Sequence, residues 1–283
     1  MNNNKYKQFD NDSKATKITS FGKLLKLQRD DQRNQICKMP QPYTLSSPYS
    51  KIVDFNHKTK IVCQKTDLSL FLDQCNIVCI GDCETGKTSL INRFISSTFD
   101  HCYKATRDAD YKSSYLEILN VGYNIGIWDL SGEDNYKILN RPYYKDVNVI
   151  VAVFDLTKPA SLINAAKWMR EALAVNDKCD PLRFLVGTKS DLLPKKPLEG
   201  LESHACFIAQ EIDAEYFSTS SRDDKEVSNL FRRLVSLAFD NSVQRLIKPA
   251  DYNVVKNNIK NLGVFKQEVK RRKNLWTWLS SCI

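Results

Sequence analysis

No stretch of the chain approaches the roughly 20 consecutive apolar residues of a membrane-spanning helix, so no such span is expected. The opening Met1-Asn2-Asn3-Asn4-Lys5 has neither the apolar core of a signal peptide nor a glycine at position 2 for myristoylation. Secretion is therefore not expected. The nine cysteines show no paired CxxC spacing, which argues against a zinc site and against a disulfide framework. Cys75, Cys79 and Cys83 recur every four residues, but a strand through them is expected to split their faces, leaving reduced thiols of core and loop. No internal repeat is visible.

What the chain does have is length and an uneven charge. At 283 residues and 42% hydrophobic, it can bury one full core and still carry appendages. Of its 42 basic and 33 acidic residues, positions 1–70 hold 13 and 6, and positions 242–283 hold 9 and 2. A mildly acidic middle thus carries two basic extensions, suited to an anionic surface or to solvent. Nucleic acid is not the expected partner, because the N-terminal basic stretch lacks interleaved aromatics and no reading module is recognisable. Residues 1–70 read as a mostly irregular extension, mobile or lying against the globule, with one short amphipathic helix around Ile18, Phe21, Leu24 and Leu25. Pro40, Pro42 and Pro48 discourage regular structure there.

The middle is organised around Gly81-Asp82-Cys83-Glu84-Thr85-Gly86-Lys87-Thr88-Ser89. The apolar run Ile77–Ile80 precedes it and Leu90–Ile95 follows, a strand–loop–helix context for G-x-x-x-x-G-K-[ST]. Inward-turned backbone N–H groups and the positive end of the helix suit a polyphosphate. Lys87 would bridge the outer phosphates, and the Thr88 hydroxyl would hold magnesium.

Apolar runs at 77–80, 114–119, 123–129, 147–155, 183–187 and 215–218 alternate with helical segments at 87–96, 134–144, 159–175, 202–212 and 224–239. This predicts an α/β fold, a six-stranded mostly parallel sheet with helices on both faces. Asn120-Val121-Gly122 leaves no room for a helix, so the pair it joins should be an antiparallel edge hairpin. Ligands of such sheets sit beyond the strands' carboxyl ends. There Asp129 would join the magnesium shell, directly or through water, and the Gly132 N–H would meet a terminal phosphate. Asp191 of Gly187-Thr188-Lys189-Ser190-Asp191 would accept the N1–H and N2 amino donors of guanine, a donor pair adenine lacks. The stem of Lys189 would lie over the ring, and backbone N–H groups of Ser220-Ser221-Arg222 would reach the guanine O6.

These segments, with Ile127-Trp128-Asp129, Gly132-Glu133, Tyr143-Tyr144 and Val153-Phe154-Asp155-Leu156-Thr157, make residues 74–241 resemble a Ras-superfamily small GTPase of the Rab family. The resemblance implies a P-loop NTPase G domain over residues 71–241, GTP/GDP and Mg2+ as ligands, and hydrolysis of GTP to GDP and phosphate, which the altered residue Glu133 is expected to make very slow. Leu90–Phe94, Thr98-Phe99-Asp100, Tyr103–Thr106 and Ala209-Gln210-Glu211 are similar to the Rab branch with a long N-terminal extension, associated with primary-cilium formation and organelle positioning. By the same resemblance Thr106 senses the terminal phosphate, residues 98–111 and 130–146 are the two switches, and Tyr111, Trp128 and Tyr143 present them to effectors. Effectors, an exchange factor and a GTPase-activating protein are the implied partners of a monomer cycling between cytoplasm and the cytosolic face of an intracellular membrane.

The departures from the family pattern are chemical. Glu133 stands where a glutamine orients the attacking water, and an ionised glutamate cannot donate to phosphate. Cys83 and Glu84 replace small residues, Glu84 adding negative charge near the terminal phosphate. Thr188 replaces asparagine, which should loosen the base site. The alternative is a hydrolysis-deficient guanine-nucleotide scaffold that recruits partners. In the tail, residues 242–283, Lys270–Lys273 precede Trp276 and Leu279, which share a helical face with Phe265 and Val269. That basic, aromatic face suits a membrane interface or the protein's own surface. The ending Ser280-Ser281-Cys282-Ile283 is not C-a-a-X and offers Cys282 as a lipidation candidate.

Overall fold

Alternate residues of a pleated strand face opposite sides of a sheet, and the core divides accordingly. Ile77 and Cys79 fall in one buried cluster, while Val78 and Ile80 fall in the other. The computed structural model describes residues 55–65, 68–176 and 180–247. Its elements in chain order are α1 (His57–Lys65), β1 (Cys75–Ile80), α2 (Lys87–Ser96), β2 (Ala109–Ile118), β3 (Val121–Leu130), α3 (Lys137–Asn140), β4 (Val149–Asp155), α4 (Pro159–Val175), β5 (Leu182–Thr188), α5 (Lys195–Glu211), β6 (Glu215–Ser218) and α6 (Val227–Leu246). The six strands run in the order β2-β3-β1-β4-β5-β6. All pairs are parallel except β2 with β3. Side chains of α1, α2 and α6 pack on one face, and those of α4 and α5 on the other. The predicted fold class is therefore the observed one.

Local differences have physical causes. The hairpin turn is Leu119-Asn120, both at positive φ (53° and 61°), the geometry of the two-residue turns that match strand twist. Gly122 lies inside β3, where a Cβ would come within 2.2 Å of the Tyr115 hydroxyl across the pair. The helix expected over 134–144 is broken into a 3-10 turn (Asp134–Tyr136), the short α3, and a second 3-10 turn (Arg141–Tyr144) carrying Pro142, which has no N–H to continue a ladder. Helix α5 begins at Lys195, because Pro197 falls in its first turn, where proline is tolerated. Cys75 and Cys79 share one face rather than being split, as two strand positions four apart must.

Part of the expected N-terminal extension belongs to the core. Phe55, Cys63 and Leu68 are buried in the α6-side cluster, and Phe55 meets Phe239 edge-on at 6.2 Å. Helix α6 continues to Leu246, past the expected boundary at 241, because Asp240 and Val243 are buried along its last turns. The buried Thr59 hydroxyl donates to Asp240 Oδ1 at 2.5 Å. Thr59→Val removes that donor from a buried carboxylate and is expected to cost about 1–3 kcal/mol in urea unfolding. An unchanged midpoint would mean that the Thr59–Asp240 hydrogen bond contributes nothing to the domain. Residues 1–54, the helix proposed around Ile18–Leu25, and the tail with Phe265, Lys270–Lys273 and Cys282 lie outside the described residues.

Candidate functional site

The loop between β1 and α2 wraps around its own lysine. Gly86 precedes α2 with φ 91°, a backbone state that a residue with a Cβ rarely adopts. Lys87 is buried, and its Nζ donates to the Gly81 and Asp82 carbonyls at 2.9 Å each. Burial pushes its pKa down, against the opposing pull of Asp129. An ammonium held this way by two neutral carbonyls is short of an anion. Gly132 packs on the loop so closely that a Cβ would stand 2.4 Å from the Cys83 nitrogen.

Beside the lysine three oxygen-bearing side chains converge from three segments. Thr88 Oγ1 donates to Asp129 Oδ2 at 2.5 Å and lies 3.0 Å from Thr106 Oγ1. Asp129 is wholly buried, and its Oδ1 has no hydrogen-bond partner. Burial raises its pKa, while the Thr88 bond and Lys87 work the other way. Two hydroxyls and a bare carboxylate oxygen suit a hard, oxygen-seeking cation such as magnesium. Asp129→Asn is therefore expected to raise the melting temperature of metal-free, nucleotide-free protein while abolishing the tightening of nucleotide binding by magnesium. A lower melting temperature for the metal-free variant would contradict this reading of the buried charge.

A cleft of about 680 Å³ runs from this cluster to Asp191, bordered by Cys83, Glu84, Gly86, Lys87, Ser89, Glu133, Thr188, Lys189, Ser221 and Arg222 among others. At the far end Ser220 Oγ donates to Asp191 Oδ1 at 2.6 Å, and Arg222 Nη1 lies 3.2 Å from Asp191 Oδ2. Lys189 Nζ donates to the Glu84 carbonyl and to Asp155 Oδ2, both at 2.7 Å. Thr188 Oγ1 bonds the Thr85 carbonyl at 2.5 Å and the Phe154 carbonyl at 3.0 Å. The threonine thus ties β5 to the phosphate loop.

Of the nucleotide-site residues singled out from the sequence, the cleft is lined by Cys83, Glu84, Gly86 to Ser89, Thr106, Gly132, Glu133, Thr188, Lys189, Asp191, Ser221 and Arg222, while Thr85, Asp129 and Ser220 sit behind its wall and two carboxylates are redirected. Asp82 turns away to α4, its carboxylate accepting from Asn164 Nδ2 at 2.7 Å and Trp168 Nε1 at 2.9 Å. Glu84 points its carboxylate at Lys158 Nζ, 3.1 Å away, so its charge is partnered rather than aimed freely at a phosphate. Partial burial pushes the Cys83 thiol up, Lys87 opposing and Glu133 and Asp82 adding. Sequence reasoning missed Arg93, which donates to the Ser221, Ser97 and Arg222 carbonyls at 2.6, 2.8 and 3.0 Å and fixes the base-side loop to α2. No local spacing announces such a grip, because its partners are 128 and 129 residues away. Outside the cleft, Trp128 stands between Tyr111 (4.8 Å between ring centroids) and Tyr143 (4.7 Å), forming one aromatic cluster.

A phosphate cradle at the carboxyl end of β1, with a metal-suited oxygen cluster and a recessed carboxylate along one cleft, defines a nucleotide-binding protein of the P-loop class. The family model "Ras family" matches residues 76–240. Over 209 residues, 74% of this chain, it is 35% identical to human "Ras-related protein Rab-36", covering 78% of that protein. It is also 34% identical to rat "Ras-related protein Rab-34" over 209 residues, covering 81% of that protein. The chain belongs to the Ras family and, within it, to the Rab small GTPases, which bind GTP and GDP with Mg2+.

Proposed function

We propose that this chain is a guanine-nucleotide switch of intracellular membrane traffic whose own GTP hydrolysis is very slow. The observation that carries the reading is a single cleft lined by Lys87, Thr88 and Thr106 at one end, where Thr88 bonds the buried Asp129, and by Asp191 at the other. Lys87, now satisfied by carbonyls, would exchange them for phosphate oxygens. Loop N–H groups from Cys83 to Ser89 would line the polyphosphate. Thr88, Thr106 and Asp129 would hold the magnesium, the aspartate directly or through water. A bound magnesium supplies charge neutralisation at the phosphates undergoing transfer. Asp191 would select guanine, with Ser220 fixing its orientation and Lys189 bordering the base.

Thr106 and Gly132 link nucleotide state to the segments that carry Tyr111, Trp128 and Tyr143, and this aromatic cluster is the proposed effector surface. Slow hydrolysis is assigned to Glu133, which lines the cleft in place of a water-orienting amide. An activating protein that inserts an arginine could accelerate such a site by roughly 10³–10⁵, the range known for Ras-type enzymes. The domain is proposed to act on the cytosolic face of an intracellular membrane, with a ciliary role and attachment through the tail and Cys282 as finer parts of the proposal.

The alternative scaffold role rests on the same Glu133. The partnered Glu84 removes one of its two electrostatic supports. Single-turnover conversion of bound GTP decides between them. Slow but measurable release of phosphate over hours is expected, and none over days would favour the scaffold.

A further inference from the structure

The Watson–Crick edge of guanine that a carboxylate recognises, N1–C2–N2, is a planar guanidine fragment. Arginine carries the same fragment at its tip, and such a fork matches a carboxylate well. At the base end of the cleft the protein already supplies one. Arg222 Nη1 sits 3.2 Å from Asp191 Oδ2, while Ser220 takes Oδ1. The Asp191 side chain is only 6% exposed and that of Arg222 44%, so the guanidinium covers the open side of a recessed acceptor. We propose that Arg222 is an internal stand-in for guanine, which competes with the base for Asp191 and is displaced by it.

The surroundings support a swing of the side chain alone. Arg93 grips the Ser221 and Arg222 carbonyls, and Ser220 and Lys225 exchange backbone hydrogen bonds at 3.1 and 2.9 Å. The loop backbone is thereby pinned. The Asp223 carboxylate receives Arg222 Nε at 3.0 Å and gives the displaced arginine a second partner toward solvent. Arg222 and Asp223 are open to water while Asp191 is recessed, so the guanidinium can leave toward solvent once the donors of the base take its place on Asp191. It keeps the recessed carboxylate partnered until the base arrives, at the cost of competing with it.

This inference rests on Asp191 being the base-recognising carboxylate. The test is stopped-flow association of ribose-labelled fluorescent GDP with the nucleotide-free full chain and with Arg222→Met, which keeps the stem and removes the fork. Association is expected to rise at least about 1.5- to 5-fold, the factor by which even a fully exposed ion pair would deplete the competent state, the recessed Asp191 carboxylate making this a lower bound. Dissociation is expected not to accelerate. Arg222→Lys, a point charge without the planar fork, should fall between the two. Unchanged or slower association, or faster GDP release from Arg222→Met, would overturn the proposal, the last because it would mean that Arg222 holds the bound base. Independently of any variant, the guanidinium 15N–1H signals of Arg222 in the unsubstituted chain should shift when GDP is added, and their constancy would count against displacement. A chain that binds GDP no better than ADP defeats the base-site reading itself. One that prefers GDP yet ignores the Arg222→Met change defeats only this inference.

Discussion

Asp191→Asn is expected to weaken GDP binding by roughly 10²- to 10⁴-fold and to turn the preference toward xanthosine diphosphate. Two charge-assisted hydrogen bonds are at stake, each worth about 1.5–3 kcal/mol, and 1.4 kcal/mol is a factor of ten. Asparagine also turns one acceptor into a donor, which faces the guanine donors unproductively but matches the extra carbonyl of xanthine. Because Asp191 also receives Ser220 and Arg222, the substitution loosens the base-side loop as well as altering recognition. The xanthine arm separates these effects. A loosened loop lowers affinity for both bases, whereas altered recognition lowers one and raises the other. Equal losses for GDP and xanthosine diphosphate, measured by displacement titration, would remove Asp191 from the base site.

The second large effect concerns rate. Glu133→Gln replaces a carboxylate in the cleft by an amide that can both donate and accept. Single-turnover GTP hydrolysis is expected to rise on the order of 10²-fold, comparable to restoring one aimed donor in an active site. Nucleotide affinity should change little, since Glu133 borders the phosphate end without being one of the groups assigned to hold it. A gain in affinity with no gain in rate would show that the glutamate acts only by repelling the triphosphate. No change in either would leave the slow turnover to some other departure, with Cys83 next in line because it lines the same end of the cleft.

The parts of the site that could be read from the sequence are those whose partners lie close in the chain or at strand ends. The loop Gly81–Ser89 carries its own context in the strand before it and the helix after it. Asp129, Thr188 and Asp191 were locatable because parallel sheets gather their strand ends on one side. What could not be read is where side chains aim when the partner is distant. Asp82 and Glu84 sit in the phosphate loop, yet their carboxylates are drawn to α4 and Lys158, 74 to 86 residues away. Thr59 finds Asp240 across 181 residues, so α1 could not be told from an irregular extension by pattern alone. Its weak apolar period hides a helix whose stability comes from packing on α6 rather than from its own sequence. The broken helix at 134–144 is a milder case, where Pro142 carried the signal and the surrounding apolar spacing outweighed it.

The central claim is that one cleft holds a guanine nucleotide between Lys87 and Asp191, and its most direct test is the nucleotide content of the purified folded chain. Chromatography of the denatured protein is expected to release close to one equivalent of GDP or GTP and no adenine nucleotide, and stripped protein should reload with GDP plus Mg2+ but not ADP. Folded material that carries no guanine nucleotide, and takes up none from excess GTP or GDP with magnesium, would contradict the account.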